Sequence, residues 1–364
     1  MFFNKKKEAK EPEFAETLSG AHILNKDKIC PGYLLYEGKL IDRNGKLIQS
    51  WPYEYLGTIL PNGDYIAQEK YESLCFGKFT KDGKEIWKRE LPIHHDIFVR
   101  PNGNIITATK EMHEYKKRKV DFCVLVEFDP SGKEVRRWST REHLEELKKL
   151  HGALELEMSK VLGIDPLKAK PTTIWGGNFD YYRINSIQVL PKNSNDSDPR
   201  FKEGNLMFSA RHGSMIFILD GDEIVWSITQ KDVPGEIQGQ HSVSMLENGN
   251  LLMFDNGRYR GQSRIIELDP MSMKIKWEWT EPGFYTLSQG YVQRLPNGNT
   301  LITESEKGHA FEISRGGEKV WEFYHAEKQN KDNQPEHPES WGKRQWIYRM
   351  AWYDKAFIEA IFNP

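Results

Sequence analysis

Histidine and arginine recur at equivalent points of a repeated phrase, and this recurrence is the part of the chain that could do chemistry. The stretches His94-His-Asp96, Arg183-Ile-Asn-Ser186, Gln240-His-Ser242, Ser288-Gln-Gly-Tyr291 and Tyr348-Arg349 each open an apolar run. A second series closes the following run: Thr107-Ala-Thr-Lys-Glu111, Ser209-Ala-Arg-His212, Asp255-Asn-Gly-Arg258 and Thr303-Glu-Ser-Glu-Lys-Gly-His309. Candidates for a shared pocket are therefore His94, His95, His212, His241, His309, Arg183, Arg211, Arg258, Arg260 and Arg349. Guanidinium forks match the oxygens of sulfate, phosphate or carboxylate. A histidine titrating near neutrality beside them can attack, or take and return a proton. A single histidine at a strand start most often satisfies a backbone carbonyl. Cations repeated at one register in different units point to an anionic ligand instead.

The elements that must position these residues follow from the repeat. Leu60-Pro-Asn-Gly-Asp-Tyr-Ile-Ala67 recurs as Arg100-Pro-Asn-Gly-Asn-Ile-Ile-Thr107, Leu246-Glu-Asn-Gly-Asn-Leu-Leu-Met253 and Leu295-Pro-Asn-Gly-Asn-Thr-Leu-Ile302. Asn-Gly between alternating apolar runs predicts hairpins, read as type I′ turns in which both central residues take positive φ. A second turn follows each, as in Lys81-Asp-Gly-Lys-Glu-Ile-Trp87 and Pro130-Ser-Gly-Lys-Glu-Val-Arg-Arg-Trp138. Four strands joined by two tight turns make a propeller blade, which must stack on neighbours to bury its faces. The fold class expected is all-β, a six-bladed β-propeller with a short helical insertion.

Complete blades are expected over Tyr55 to Leu91, His94 to Ser139, Ile184 to Ile228, His241 to Thr280 and Gly290 to Tyr324. The sixth is expected to be split. Leu40 to Trp51 supplies its outer strands and Trp346 to Trp352 its inner one, which removes an exposed sheet edge. Thr140 to Lys170 carries Leu144, Leu147, Leu150, Leu154 and Met158 at helical spacing. The expected organisation is one propeller domain over residues 1–364, with an N-terminal extension over 1–30 and a helical insertion over 140–172.

Lys and Arg total 51 against 53 Asp and Glu, a net charge of -2, so there is no electrostatic case for nucleic acid. The basic run Lys116-Lys-Arg-Lys119 reads as a solvated loop. The cysteines Cys30, Cys75 and Cys123 imply no disulfide framework. No apolar stretch approaches a membrane span, and the charged N-terminus has no apolar core after it, so a cytoplasmic location is expected. No metal or other cofactor is expected; His94 and His95, being adjacent, point oppositely on a strand and are awkward joint ligands. The oligomeric state is open.

Asp255-Asn-Gly-Arg258 after Gln240-His241, followed by Gln262-Ser-Arg-Ile-Ile-Glu267, resembles the aryl-sulfate sulfotransferase family. So do Ile184-Asn-Ser186, Phe208-Ser-Ala-Arg-His212 and the Asn-Gly-Asn hairpins, over about Tyr55 to Trp352. The resemblance implies a six-bladed propeller that moves a sulfuryl group between phenolic esters and phenols. The reaction is PAPS-independent and runs through a sulfohistidine. By that resemblance His309 is the nucleophile, with His241 and Arg258 as catalytic partners and Arg260 as the register alternative for the arginine. Arg183, His95, Arg211, His212, Tyr291 and Arg349 would bind a small anionic or aromatic substrate, and Glu304 or Glu306 would orient His309. The family usually has histidine where this chain has Arg183, and its members are often exported. Two alternatives stay open. One is a polysaccharide lyase in which His241 with Tyr291 or Tyr348 moves the proton. The other is a non-catalytic propeller that binds an anion.

Overall fold

The computed structural model describes residues 18–70, 73–115, 117–151, 179–328 and 342–363. Its strands form six sheets, the blades of a β-propeller. Blade one holds Tyr55–Ile59, Tyr65–Gln68, Cys75–Phe79 and Glu85–Glu90, and blade two holds His94–Val99, Ile105–Tyr115, Arg118–Phe128 and Glu134–Ser139. Blade three runs Ile184–Val189, Leu206–Ala210, Met215–Asp220 and Glu223–Ile228. Blade four runs His241–Met245, Leu251–Asp255, Arg264–Asp269 and Lys274–Trp279. Blade five runs Tyr291–Arg294, Thr300–Glu304, His309–Ile313 and Lys319–Tyr324.

The sixth blade is assembled from both chain ends. Tyr33–Tyr36, Lys39–Ile41 and Leu47–Ser50 receive Ala351–Tyr353 as the inner strand. That strand is shorter than the Trp346 to Trp352 expected, because Trp346 and Tyr348 turn away to pack their rings on Tyr55. Gly20–Ile23 adds a fifth strand to blade five, so the N-terminal segment bridges two blades. The insertion after blade two begins with a helix, Leu144–His151, that buries Leu144 and Leu147 among residues of blades two and three. Leu154, Met158 and the rest of the insertion lie outside the described residues. No helix among the described residues is long and apolar enough to cross a membrane.

The Asn-Gly hairpins correct one expectation. Gly63, Gly103, Gly249 and Gly298 have φ of 87°, 84°, 79° and 87°, but the asparagines before them are not left-handed. Each glycine amide instead donates back across the turn, as Gly63 N does to Leu60 O at 2.9 Å. This is a tight turn followed by a left-handed glycine, the three-residue hairpin pattern. Asparagine is needed for its side chain. Asn102 Oδ1 accepts from Asn104 N at 3.0 Å, and Asn248 and Asn297 repeat the contact at 3.1 Å. The carboxamide thus holds the turn shut.

The tryptophans that close the outer strands join neighbouring blades. Trp51 Nε1 donates to Thr80 O at 3.2 Å, Trp138 to Asp222 O at 3.2 Å and Trp277 to Arg315 O at 3.0 Å. Trp321 does the same to Arg43 O at 2.8 Å, across the junction where blade five meets the split blade. Each indole buries a large apolar face while its one donor is satisfied.

Candidate active site at the head of the inner strands

The inner strand of a blade begins with a backbone irregularity. The register shifts between Tyr55 and Thr58, Thr107 and Ala108, Ile184 and Ser186, and His241 and Ser244. Leu56, His95, Arg183 and Ser242, all non-glycine, are left-handed there, with φ of 55°, 68°, 53° and 52°. Bulges re-aim side chains, and strain of this kind persists only where packing over-determines it. The four sit at one level of the ring. Below that level runs a cavity of about 420 Å³, lined by His95, Asp96, Asn185, His241, Gln289, Tyr291, Tyr348 and Arg349 among others.

His241 is the best-defined group in this ring. Its Nδ1–H donates to Asn256 Oδ1 at 2.7 Å and lies 3.0 Å from Gly239 O. Asn256 cannot be flipped, because its Nδ2 donates to Thr286 O at 2.8 Å and Gln289 O at 2.5 Å. The proton is thereby fixed on Nδ1 and the lone pair on Nε2. Nε2 is buried and has no hydrogen-bond partner among the described residues. Burial, then the nearby Arg211 cation, lower the pKa to about 3, so the ring is neutral at pH 7.

His95 stands beside it, ring centroids 6.4 Å apart. His94 Nε2 donates to Thr109 O at 3.2 Å, which leaves His94 Nδ1 as an acceptor. The Nδ1–H of His95 fills it at 2.8 Å, so the Nε2 of His95 also carries a lone pair. The expectation that the two rings point apart is corrected: the left-handed backbone of His95 turns them into contact. Burial lowers the His94 pKa to about 4 and holds that of His95 well below its ordinary value, with Arg183 the next cause for His95.

Arg183, Arg211 and Arg258 cluster around these histidines. Arg211 and Arg183 both depress His95 and His241, and Arg258 joins them in lowering His212. Burial and then the charges of Arg258 and Arg183 push Arg211 itself well down. Arg183 lies 3.6 Å from Asp180. The Arg258 guanidinium makes no hydrogen bond or ion pair among the described residues. Arg260 is committed elsewhere, to Asp255 at 2.7 Å, and is structural. His212 Nδ1–H donates to Asp180 O at 2.7 Å, and burial lowers its pKa to about 3. Arg349 is tied to Asp96 at 2.6 Å and lies over the Tyr291 ring, so it braces the channel wall.

His309 is not brought to this ring. It heads the third strand of blade five and does not line the cavity. Its Nδ1 lies 3.4 Å from Glu304 and its Nε2 3.3 Å from Glu322, with the ring stacked between Phe311 and Tyr324. Burial alone would lower its pKa, but the two carboxylates outweigh burial and raise it. Its Nε2, like that of His241, makes no hydrogen bond among the described residues, but the two anions bias this ring toward the cation, which has no lone pair to attack with. The expected orienting role of Glu304 is present as a contact, while Glu306 instead accepts from Leu287 N and Ser288 N. Asn256 and Asp180 went unremarked in the sequence as site residues. Asn256 sits inside the Asp-Asn-Gly phrase; Asp180 precedes its strand with no repeat signal.

The model of a family described as arylsulfotransferase (ASST) matches residues 58–327. The chain belongs to the arylsulfotransferase family. The match takes in His95, Arg183, Arg211, His241 and Arg258 of this arylsulfotransferase-family propeller. Among curated proteins none is significantly similar in sequence. A protein of unknown function from Bacteroides caccae is similar over 90% of this chain and 100% of that chain, with TM-score 0.53 and 14% identity. Virginiamycin B lyase from Staphylococcus aureus is similar over 84% of this chain and 73% of that one, with TM-score 0.41 and 11% identity. At 14% identity the likeness to the Bacteroides caccae protein is one of fold.

The buried neutral histidines make stability depend on pH. His94, His212 and His241 have folded pKa values of about 4, 3 and 3, below the ordinary value of 6.5. The unfolded chain therefore binds more protons as the pH falls below 6.5. Stability is full above that value and is lost toward pH 4, by up to about 1.4 kcal/mol per pH unit for each histidine. The thermal midpoint should fall between pH 7 and pH 5, and less steeply in His241→Asn. A midpoint constant over that interval would contradict the protonation states assigned here.

Proposed function

We propose that this protein is a PAPS-independent sulfotransferase in which His241, rather than His309, carries the sulfuryl group. The observation that supports this reading most is the His241 imidazole: Nδ1–H anchored on Asn256, Nε2 unpartnered, arginines close by. The sulfate oxygens of a phenolic ester are held by Arg258, Arg211 and Arg183. Nε2 of His241 attacks sulfur in line as the bond to the phenolic oxygen breaks. The phenolate departs with the bonding pair, and the N–S bond makes a sulfonated imidazolium whose Nδ1–H stays on Asn256. Fixed cations oppose the charge that develops on the leaving oxygen. In the second half, an acceptor phenol passes its proton through the Nε2 of His95 to solvent, where it neutralises the phenolate already released, and its oxygen attacks sulfur. The N–S bond breaks and His241 returns to its neutral form.

His95 takes the place of the proton-moving histidine for which this chain has Arg183. The lyase alternative would use a tyrosine that ionises readily. Burial pushes Tyr291 and Tyr348 up to about 12, which favours transfer. Incubation with a chromogenic aryl sulfate and no acceptor should add one sulfuryl group, located by peptide mass on His241 and lost in acid. Protein that releases phenol without gaining mass would refute the covalent route.

The two arginines of the Asp-Asn-Gly phrase should separate cleanly. Arg258→Ala is expected to lower kcat/KM by roughly 10²–10³-fold with an unchanged melting temperature, since it removes charge stabilisation alone. Arg260→Ala should melt earlier, because Asp255 loses one of its two cations. Steady-state rates beside melting curves decide it, and equal kinetic losses from both would reject Arg258 as the anion clamp.

A further inference from the structure

We propose that Glu306 is a positioning residue for His241, acting through the loop between blades four and five and through the Asn256 side chain that the loop holds. The loop, residues 280–290, runs from the outer strand Lys274–Trp279 to the inner strand Tyr291–Arg294. Two of its carbonyls face Asn256, and two of its amides face Glu306. Asn256 Nδ2 donates to Thr286 O at 2.8 Å and Gln289 O at 2.5 Å, and Asn256 Oδ1 accepts the His241 Nδ1–H at 2.7 Å. Between those two carbonyls, Leu287 N donates to Glu306 Oε2 at 2.7 Å. Ser288 N and Oγ donate to Glu306 Oε1 at 3.1 Å and 2.7 Å. Thr286 is also tied by its N–H to Ser263 Oγ at 3.1 Å, so the carbonyl whose place depends on Glu306 is that of Gln289.

The carboxylate can serve as an anchor because its own turn is held from behind. Glu306 is fully buried in the short turn Ser305–Lys307, which joins two strands of blade five. Its carbonyl accepts from Gly342 N at 3.0 Å, and Ser305 O accepts from Ile347 N at 3.1 Å. The chain segment that leads to the last inner strand thus clamps the turn. Gly308 closes it at φ 60°, where a Cβ would come within 2.2 Å of Gln345 O. Both carboxylate oxygens accept from the loop, which a carboxamide cannot reproduce, because on either side its –NH2 would face a loop N–H. A supporting group of this kind acts on rate through geometry alone: it keeps the reacting nitrogen on the line of attack.

The kinetic consequence rests on the sulfotransfer reading; the chain of contacts does not, and the two are measured separately. In the full chain carrying 15N-asparagine, the Nδ2 protons of Asn256 are assigned by their loss in Asn256→Ala. Their chemical shifts report hydrogen bonds of the folded state rather than its stability. In Glu306→Gln the resonance of the proton on Gln289 O should move upfield, as that bond lengthens. In Glu312→Ala, which is destabilised at the distant ring closure, it should stay in place. The rate of sulfuryl gain from an aryl sulfate in a single turnover should fall by roughly 10²-fold in Glu306→Gln. In the Asn256→Ala background the same substitution should cost less than about twofold, because the path to His241 is already cut. Equal costs in the two backgrounds, or an unmoved Asn256 resonance in folded Glu306→Gln, would overturn the proposal. Should Glu306→Gln fail to fold, Ser288→Ala removes one of the three bonds and repeats both measurements with a smaller effect, and the same two results would overturn it. A displaced Asn256 resonance in a protein whose wild type gains no sulfuryl group would support the positioning chain and remove the sulfotransfer reading alone.

Discussion

His241→Ala should reduce sulfuryl transfer by roughly 10⁴-fold or more, the scale of losing a covalent nucleophile. It should also abolish the mass gain on exposure to donor alone. His309→Ala should retain both the mass gain and most of the turnover. Its cost falls on the fold. Glu304 and Glu322 would lose a shared cation while keeping Lys307 and Lys319, at 2.6 Å and 3.7 Å, so the loss should be roughly 2–3 kcal/mol. The contrast follows from what surrounds each ring. Burial and the Arg211 cation hold His241 neutral while Asn256 and Gly239 fix its proton on Nδ1, whereas two carboxylates outweigh burial and raise the pKa of His309. Turnover lost in His309→Ala at a temperature where the variant is folded, with His241→Ala active, would invert the assignment.

Glu312→Ala should be the most destabilising single change at the ring closure. Glu312 is fully buried and accepts from Cys30 N at 2.8 Å and Asn299 Nδ2 at 2.6 Å. It also pairs with Arg43, whose guanidinium lies over Trp321 at 4.3 Å. These partners come from blade five and from the chain segment that enters the split blade. Removing the carboxylate leaves a buried cation without its anion, which costs about 3–5 kcal/mol. The melting temperature should drop by on the order of 5–10 °C. Glu318→Ala serves as the control. It also breaks a pair that ties the N-terminal segment to blade five, with Lys28, but there both side chains are about half exposed. Such a surface pair is screened by solvent and contributes little. If both variants melted with the wild type, the closure would rest on strand pairing alone.

The sequence determined the architecture because the repeat is local. Each Asn-Gly turn needs one left-handed glycine and one carboxamide that folds onto its own backbone. Four of the outer strands carry or precede an indole that finds a carbonyl next door, those of Trp51, Trp138, Trp277 and Trp321. Five of the blades begin and end within a few residues of where the phrases place them, and even the split blade was legible from a turn and tryptophan lacking their inner strand. The turn type differs from the expected one because Asn-Gly fits either the two central positions of a type I′ turn or the last two positions of a three-residue loop in which only the glycine is left-handed.

The site was legible as a register and no further. Aligned strand heads put His95, Arg183 and His241 at one register, and Arg258 follows the end of the next strand over, since equivalent points of stacked blades converge on the axis. What the spacing could not carry was protonation and orientation. Those depend on groups remote in the chain: Asn256 for the orientation of His241, burial and then Arg183 and Arg211 for the lowered pKa of both histidines, Glu304 and Glu322 for the raised pKa of His309. His309 shares its position in the phrase with Arg258 and His212, yet it lies away from the cavity, between two carboxylates. Whether a histidine is a nucleophile or a cation in an ion pair is set by which oxygen or charge packs against each ring nitrogen, and only the closed ring brings those atoms together.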